Sequence, residues 1–376
     1  MSSPYLRVAQ STNVVIKLGT RLLTFESGKL DLEYLEKIVR KLAAIKNKGV
    51  QITLVSSGAI GAGVGRMNMR RRPHTIPEKQ AAAAVGQGLL IQMYEKFFSE
   101  YGHIAAQILL TRADLRSRQR YINAANTISN LLKWGVIPVI NENDTVSTEE
   151  IEFGDNDQLA ALVSGLIDAD LLINLTDTEG LYEGNPSSDP EAKLVPLVEK
   201  ITPEIKEWAG STSDALATGG MIAKINAAEI AINSGVNMVI ANGRNIENIT
   251  DVLNGEPVGT LFMAQEDFLC RRKRWIAYGK LIKGNIYVDN GARDALLKER
   301  KSLLPVGVQK IEGEFERGDL VRVVDQYHNK IARGLVNFHS HELAQIIKMP
   351  SHKISGILGG QFQEEVIHRD NLVTET

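Results

Sequence analysis

Short apolar segments alternate with longer amphipathic ones through the first 260 residues, and this alternation constrains the fold more than any other feature. The apolar segments are short enough for strands buried on both faces of a parallel sheet. They are residues 14–18, 52–55, 104–110, 136–140, 171–175 and 236–241. Residues 31–48 and 221–234 carry apolar side chains at helical spacing, and Gly49 and Gly235 follow as end signals. The pattern predicts an α/β domain with a parallel sheet and right-handed crossovers.

The pattern changes near residues 265–280. A basic run, 271–274 (RRKR), is followed by short strand-like pieces separated by turn residues. These pieces are 284–288, 307–311, 320–324 and 331–336. We therefore predict a first domain over 1–270, a linker over 271–281 and a small β-rich domain over 282–376.

Composition excludes several classes of protein. The formal net charge of the 376 residues is −2, so the whole chain is not a general binder of polyanions. A single cysteine excludes a disulfide framework and a cysteine-based zinc site. The first residues lack the apolar core of a signal peptide, and no apolar stretch is long enough for a membrane span. We expect a cytoplasmic protein without membrane partners.

Small and polar residues follow several of the predicted strands. They form 17–20 (KLGT), 56–65 (SSGAIGAGVG), 141–144 (NEND) and 176–177 (TD). Because ligands of open parallel sheets bind beyond the carboxyl ends of the strands, these loops are expected to converge on one edge. The glycines between Gly58 and Gly65 would let backbone N–H groups approach an anion. A tight strand-to-helix turn explains them equally well, and neither a Walker A loop nor GxGxxG is present.

Two lysines occupy informative positions. Lys17 lies inside the apolar run VVIKL, where a buried amine needs a partner or a polyanion. Lys224 follows the glycine-led start of a helix, TGGMIAK (218–224), by one turn. Its amine would reach back over the helix N-terminus, although a solvated surface position is the usual fate of a lysine.

The segment Asp155-Asn156-Asp157 crowds polar side chains where a helix is predicted to begin. A helix N-cap with acidic residues in the first turn would account for one or two of them. The alternative is that the carboxylates hold two lysines, or a divalent cation, beside a phosphate chain.

Histidine is absent from all of these loops, although the chain has seven. A reaction that needs a general base near neutral pH would usually recruit one. Phosphoryl transfer to a carboxylate does not, because a carboxyl group with a pKa of about 4 is already ionised. Catalysis then consists of positioning and charge neutralisation by lysines, metal and backbone N–H groups.

Together these motifs resemble the amino acid kinase family, and most closely its members that phosphorylate glutamate. The matching pieces are VVIKLGT (14–20), VSSGAIGAG (55–63), AAVGQGLL (83–90), LLTRAD (109–114), VIPVINENDTV (136–146), FGDNDQLAA (153–161), LTDTEGLY (175–182), TGGMIAK (218–224) and GTLF (259–262). After them, 284–297, 302–308 and 317–323 resemble a PUA domain. The resemblance implies a three-layer αβα sandwich on a mainly parallel open sheet, followed by a small β-rich PUA-like domain.

The resemblance also implies an activity: phosphorylation of the γ-carboxylate of L-glutamate by ATP with Mg²⁺, the first step of proline biosynthesis. Lys17, Asp157 and Lys224 would be catalytic, with Asp157 orienting both lysines. The residues implied to bind glutamate are Ser57, Gly58, Asp144, Asp155 and Asn156. Those implied to bind ATP are Lys17, Gly19, Thr176, Asp177, Thr218, Gly219, Gly220, Met221, Ile222, Ala223 and Lys224. No protein ligand for the metal is assigned. Feedback inhibition by proline and a homo-oligomer, dimer or tetramer, are further implications.

Two other hypotheses remain open at this point. The first is an RNA-binding protein on a kinase-like scaffold, which the PUA-like domain and the basic run suggest. The negative net charge and the intact lysine and acidic positions count against it. The second is the same fold acting on N-acetylglutamate or carbamate, against which the appended domain argues.

Overall fold

The computed structural model describes residues 4–147, 156–186, 189–210, 220–264, 282–350, 354–359 and 364–374. The chain divides into two compact units, Met1–Phe268 and Leu269–Thr376. The predicted linker, 271–281, lies outside the described residues together with the basic run, so the predicted domain boundaries stay predictions. None of the helices in the described part of the chain is both long and apolar enough to cross a bilayer.

An eight-stranded sheet forms the centre of the first unit. Its strands are β1 (Asn13–Leu18), β2 (Gln51–Ser56), β3 (Ala105–Leu110), β4 (Ile137–Glu142), β5 (Leu171–Thr176), β6 (Leu197–Val198), β7 (Asn237–Asn242) and β8 (Thr260–Phe262). They lie in the order β3-β4-β2-β1-β5-β7-β8-β6. Every pairing is parallel except that of β7 with β8. All six predicted strands are therefore present. Their first residues differ from the predicted ones by at most one position, and their last residues by at most two.

Helices connect the strands. They are α1 (Pro4–Val8), α2 (Thr20–Leu23), α3 (Leu32–Asn47), α4 (Ala59–Arg66), α5 (Ile76–Glu100), α6 (Arg112–Arg116), α7 (Arg118–Lys133), α8 (Asn156–Leu166), α9 (Pro203–Gly210), α10 (Met221–Asn233) and α11 (Asn248–Leu253). Gly49 and Gly235 follow α3 and α10 with φ of 94° and 73°, the left-handed conformation that ends a helix.

Buried side chains lie on both faces of this sheet. Successive residues of a strand point to opposite faces, and along β1 they alternate between two separate cores. Val15 belongs to one core, with α8 and α10, whereas Val14 and Ile16 belong to the other, with α3 and α5. This is the predicted three-layer αβα arrangement, and it explains why the central strands are apolar along their whole length.

The second unit contains a five-stranded sheet with its own core. Its strands are β9 (Gly284–Val288), β10 (Val308–Glu312), β11 (Leu320–Val324), β12 (Lys330–Leu335) and β13 (Leu372–Thr374), in the order β10-β9-β11-β12-β13. Helices α12 (Asn290–Leu297), α13 (Ser340–Ile346) and α14 (Ile354–Leu358) accompany it, with 3₁₀ turns at Pro305–Gly307 and Arg369–Asn371. Its main core is an apolar cluster that includes Ile286, Val323 and Phe338, and Leu320 and Leu335 form a second, smaller cluster. The predicted small β-rich domain is confirmed.

Candidate active site

The carboxyl ends of the central strands bring several of the predicted loops to one edge of the sheet. β1 lies between β2 and β5, and Lys17, its penultimate residue, pairs in register with Val55 and Asn174. The Lys17 side chain is buried, with 3% of the residue exposed. An amine at this depth needs a charged partner, and the structure supplies one.

One carboxylate holds both predicted lysines. Asp157, in the first turn of α8, is fully buried. Its Oδ1 forms an ion pair with the Lys17 amine, and its Oδ2 accepts a hydrogen bond from Lys224 Nζ at 2.9 Å. The prediction that Asp157 bridges two lysines, rather than merely favouring the helix N-terminus, agrees with this geometry. We call Lys17, Asp157 and Lys224 the triad.

The triad carries more positive than negative charge. Two amines and one carboxylate lie together, and each of the three residues is at most 7% exposed. The cluster is therefore suited to an anionic group such as a phosphate chain, to which charge-assisted hydrogen bonds are strong.

A fourth side chain supports the triad and was missed in the sequence. Asn174 lies in the middle of β5, is fully buried, and donates from Nδ2 to Asp157 Oδ1 at 3.0 Å. Its own Oδ1 has no hydrogen-bond partner within the described part of the chain. The signal that would have found it is the one that marked Lys17: a polar residue inside an apolar strand, here LLINLT.

The other polar residue of this helix start, Asn156, faces the end of β2. Its Nδ2 lies 2.8 Å from the Ser56 carbonyl oxygen and 3.1 Å from Ser57 Oγ. The same nitrogen lies 2.7 Å from Asn141 Oδ1 at the end of β4. Asn156 therefore uses its side chain to join strands rather than to cap α8. Asp155 lies outside the described residues.

The glycine-rich segment 56–65 is mostly helical, which differs from the predicted open loop. Gly58 has a φ of 96° and precedes α4, so only glycine is unstrained there. Within α4, a Cβ on Gly63 would overlap the Ala82 carbonyl oxygen of α5. A Cβ on Gly86 of α5 would overlap the Ala59 carbonyl in return. These two glycines thus serve the close packing of α4 against α5, which neither interpretation of the sequence predicted. Gly58, by contrast, lies in a tight turn from β2 to α4, as the second interpretation predicted.

The predicted nucleotide-binding residues lie on the neighbouring strands. The Gly19 N–H donates to the Leu175 carbonyl at 3.2 Å, and a Cβ at Gly19 would lie 4.0 Å from Lys17 Nζ. Thr176 ends β5, and its hydroxyl donates to Asp177 Oδ1 at 3.2 Å. Arg21 donates to Asp177 Oδ2 at 2.9 Å. Burial, the largest single influence, would raise the pKa of Asp177, but the hydrogen bond and charge of Arg21, together with hydrogen bonds from the Asp177 backbone and Thr176, leave that pKa lowered.

The remaining predicted residues lie at helix and strand ends. Gly220 is the N-cap of α10, and Met221, Ile222 and Ala223 form the turn that leads to Lys224. Thr218 and Gly219 lie outside the described residues, whereas Asp144 is half-buried in the turn after β4. No group of three or more metal-binding side chains occurs within the described ranges.

Comparison with known proteins places both units in families. A model of the amino acid kinase family matches residues 13–242, and a PUA domain model matches residues 284–358. A glutamate 5-kinase of Thermoanaerobacter sp. (strain X514) is 52% identical over 96% of this chain and 97% of its own. One from Caldanaerobacter subterraneus subsp. tengcongensis is 53% identical with the same coverage. Another from Moorella thermoacetica is 50% identical over 98% of this chain and 97% of its own.

Proposed function

Because the chain belongs to the amino acid kinase family, we propose that it transfers the γ-phosphoryl group of ATP to the γ-carboxylate of L-glutamate. The product is L-glutamyl 5-phosphate, the first intermediate of proline biosynthesis. The proposal is supported by relatives named glutamate 5-kinase that match nearly the whole chain, PUA domain included. The observation that carries the chemistry is the buried triad, in which one carboxylate holds two amines at the sheet edge.

The transfer needs no general base. A carboxylate oxygen of glutamate attacks the γ-phosphorus, a new P–O bond forms, and the bond to the bridging oxygen of ADP breaks. Charge accumulates on the transferring group and on the leaving oxygen, so the main catalytic demand is electrostatic. Lys17 and Lys224 neutralise that charge, and Asp157 fixes both amines on the side of the phosphates.

Magnesium fits this arrangement as a companion of ATP. Mg²⁺ keeps several waters and commonly takes its protein ligands from only one or two carboxylates besides the phosphates. When bound, Mg²⁺ would neutralise phosphate charge that the two lysines do not reach.

The acceptor and the nucleotide occupy neighbouring strand ends in this proposal. Glutamate binds against Ser57, Gly58, Asp144 and Asn156, with Asp155 beside them. ATP lies over Lys17 and Gly19 and between Thr176-Asp177 and the segment 218–224, whose helix dipole favours an anion. Both sets adjoin the triad, as in-line transfer requires.

Regulation and assembly belong to the same proposal. We expect proline to inhibit by competing near the glutamate site, and the first units to assemble into a dimer or tetramer. We expect the protein to act in the cytoplasm. RNA binding by the PUA domain remains the less favoured alternative, since it would not require a triad of this kind.

An ADP-release assay with a panel of acceptors tests the proposed function. ATP and Mg²⁺ are held fixed while L-glutamate, N-acetyl-L-glutamate, L-aspartate and carbamate are compared, with hydroxylamine present to trap an acyl phosphate as its hydroxamate. Rapid ADP release and hydroxamate formation are expected with L-glutamate alone, and added proline should slow them. Turnover of another acceptor in its place, or salt-sensitive RNA retention without any turnover, would refute the proposal.

A further inference from the structure

A line of side-chain amides extends from the proposed glutamate site into α5. Asn156 Nδ2 donates to Asn141 Oδ1 at 2.7 Å, and Asn141 Nδ2 donates in turn to Gln87 Oε1 at 2.6 Å. Asn141 is 2% exposed and Asn156 is 8% exposed, so both amides depend on protein partners. We call Gln87, Asn141 and Asn156 the amide chain. Its outer member, Gln87, follows the packing residue Gly86 in the motif AAVGQGLL.

Backbone groups fix the direction of both asparagine amides in the chain. The Glu142 N–H donates to Asn141 Oδ1 at 2.9 Å, so that atom must be the oxygen. The Ser56 carbonyl accepts from Asn156 at 2.8 Å, so the atom facing it must be the nitrogen. Neither asparagine can rotate its amide by 180° without placing like groups together.

Gln87 completes the chain by supplying an acceptor. With Asn141 Oδ1 committed to two donors, Asn141 Nδ2 needs an oxygen, and Gln87 Oε1 is the one it meets. The close crossing of α4 and α5 at Gly63 and Gly86 brings this half-buried glutamine within reach. Without that oxygen, a buried N–H would be left unsatisfied, and Asn141 would have to shift.

The direction of the chain determines what Asn156 offers to a ligand. The two hydrogens of its nitrogen are shared among the Ser56 carbonyl, Ser57 Oγ and Asn141 Oδ1, so its carbonyl oxygen is the group left to accept a hydrogen bond. Ser57 Oγ accepts from Asn156 and therefore has its hydroxyl hydrogen to donate. An acceptor beside a donor suits the head of a zwitterionic amino acid, with its ammonium and carboxylate groups.

We propose that Gln87 is a positioning residue for the acceptor substrate: through Asn141 it holds Asn156 so that the Asn156 carbonyl accepts a hydrogen bond from the α-ammonium group of glutamate. This inference rests on the proposed function, since it assumes that glutamate is the acceptor. Helix α5 would thus contribute to substrate recognition through Asn141 and Asn156, although Gln87 itself does not contact the substrate.

Steady-state kinetics of Gln87→Met and Gln87→Glu test the proposal. Methionine keeps the length of the side chain and removes the acceptor, so the KM for glutamate should rise about tenfold, as expected for one unsatisfied buried donor. The KM for ATP should stay within about twofold, because one local amide is affected. Gln87→Glu keeps an acceptor oxygen and should therefore retain most of the affinity for substrate that Gln87→Met loses. Gln92→Met, the same change at an exposed position of α5, is the control and should match the unaltered protein.

Inhibition by glutarate adds a readout specific to the ammonium group. Glutarate keeps both carboxylates but has no ammonium, so its inhibition constant should change less than twofold in Gln87→Met. An equal loss for glutamate and glutarate, an equal rise in both KM values, or no recovery in Gln87→Glu would each overturn the proposal. If Gln87→Met does not fold, Gln87→Ala removes the same acceptor and carries the same prediction. Absence of glutamate turnover in the unaltered protein would instead refute the proposed function.

Discussion

Polar side chains inside apolar strands define the chemistry at the scale of single residues. Lys17 and Asn174 lie opposite one another on β1 and β5, and both bond to Asp157. Lys17 was recognisable in the sequence because an amine in a buried strand needs a partner. Asn174 required the structure, since a lone buried asparagine does not indicate which group it serves.

Asn174→Leu should impair catalysis more than folding. It removes one neutral donor from Asp157 and frees the carboxylate to reorient, so we expect kcat to fall about tenfold, the effect of losing one hydrogen bond to a charged group. Stopped assays of ADP release at saturating substrates, together with thermal unfolding, measure both effects. Thr53→Val is the matched control: it removes a fully buried hydroxyl of β2 that has no hydrogen-bond partner among the described residues. An equal kcat in Asn174→Leu and Thr53→Val would show that Asn174 does not position the Asp157 carboxylate for catalysis.

The ion pair between Arg21 and Asp177 gives a prediction on pH. Folding lowers the pKa of Asp177, so the ionised carboxylate stabilises the folded protein. This contribution is complete above the pKa of the unfolded state, about 3.9, and is lost as pH falls through the lower pKa of the folded state. Arg21 is 74% exposed, so the contribution to stability should stay below about 1 kcal/mol. Carbon NMR of the aspartate carboxyl groups should show a higher pKa for Asp177 in Arg21→Gln.

Asp294 provides an internal control for that titration. Lys298 lowers the pKa of Asp294 in the second unit, and nothing in Arg21→Gln alters this pair. The Asp294 titration should therefore be the same in both proteins. An unchanged Asp177 titration in the variant would contradict the assigned cause of its pKa shift.

At the scale of elements, periodicity predicted which segments are strands and helices but not how closely two helices approach. The central strands and α3 and α10 agree with their sequence patterns, because burial on one or two faces imposes a regular spacing. The glycines of 56–65 were ambiguous, since a phosphate-binding loop and a tight strand-to-helix turn both favour glycine. Gly86, 23 residues after Gly63, could not be connected with it before the crossing of α4 and α5 was known.

Gly86 and Gly88 of α5 provide a matched pair for testing that crossing. A Cβ at Gly86 would overlap the backbone of Ala59, whereas nothing lies within 4 Å of a Cβ at Gly88. Gly86→Ala should lower the free energy of unfolding by about 3 kcal/mol or more, because a backbone group must move. Gly88→Ala should raise it by about 0.5–1 kcal/mol, since alanine favours a helix interior. Urea unfolding of both variants measures the difference, and equal effects would contradict the close packing.

At the scale of the whole molecule, the chain consists of two units with separate apolar cores. The change of pattern near residue 265 predicted this division, because parallel α/β sheets and small, mainly antiparallel sheets differ in strand spacing. All of the proposed site residues belong to the first unit. How the second unit contributes was not predictable, since no motif in it carries recognisable chemistry.

A chain ending at Phe268 should therefore fold and turn over substrate. Its core and its proposed site are complete, so we expect one cooperative unfolding transition and a kcat within about fivefold of the full chain. Calorimetry and the ADP-release assay provide the comparison. A fragment that folds cooperatively but lacks activity would show that the second unit completes the site.

The most direct test of the account is the kcat of Asp157→Asn with L-glutamate, ATP and Mg²⁺. The amide cannot balance the charge of two buried amines, so the lysines should separate and kcat should fall by about a hundredfold to a thousandfold, as for loss of transition-state charge stabilisation. Lys224→Ala should give a loss of similar size, and thermal unfolding should confirm that both variants fold. A folded Asp157→Asn protein that keeps kcat within tenfold of the unaltered enzyme would contradict the claim that this carboxylate organises phosphoryl transfer.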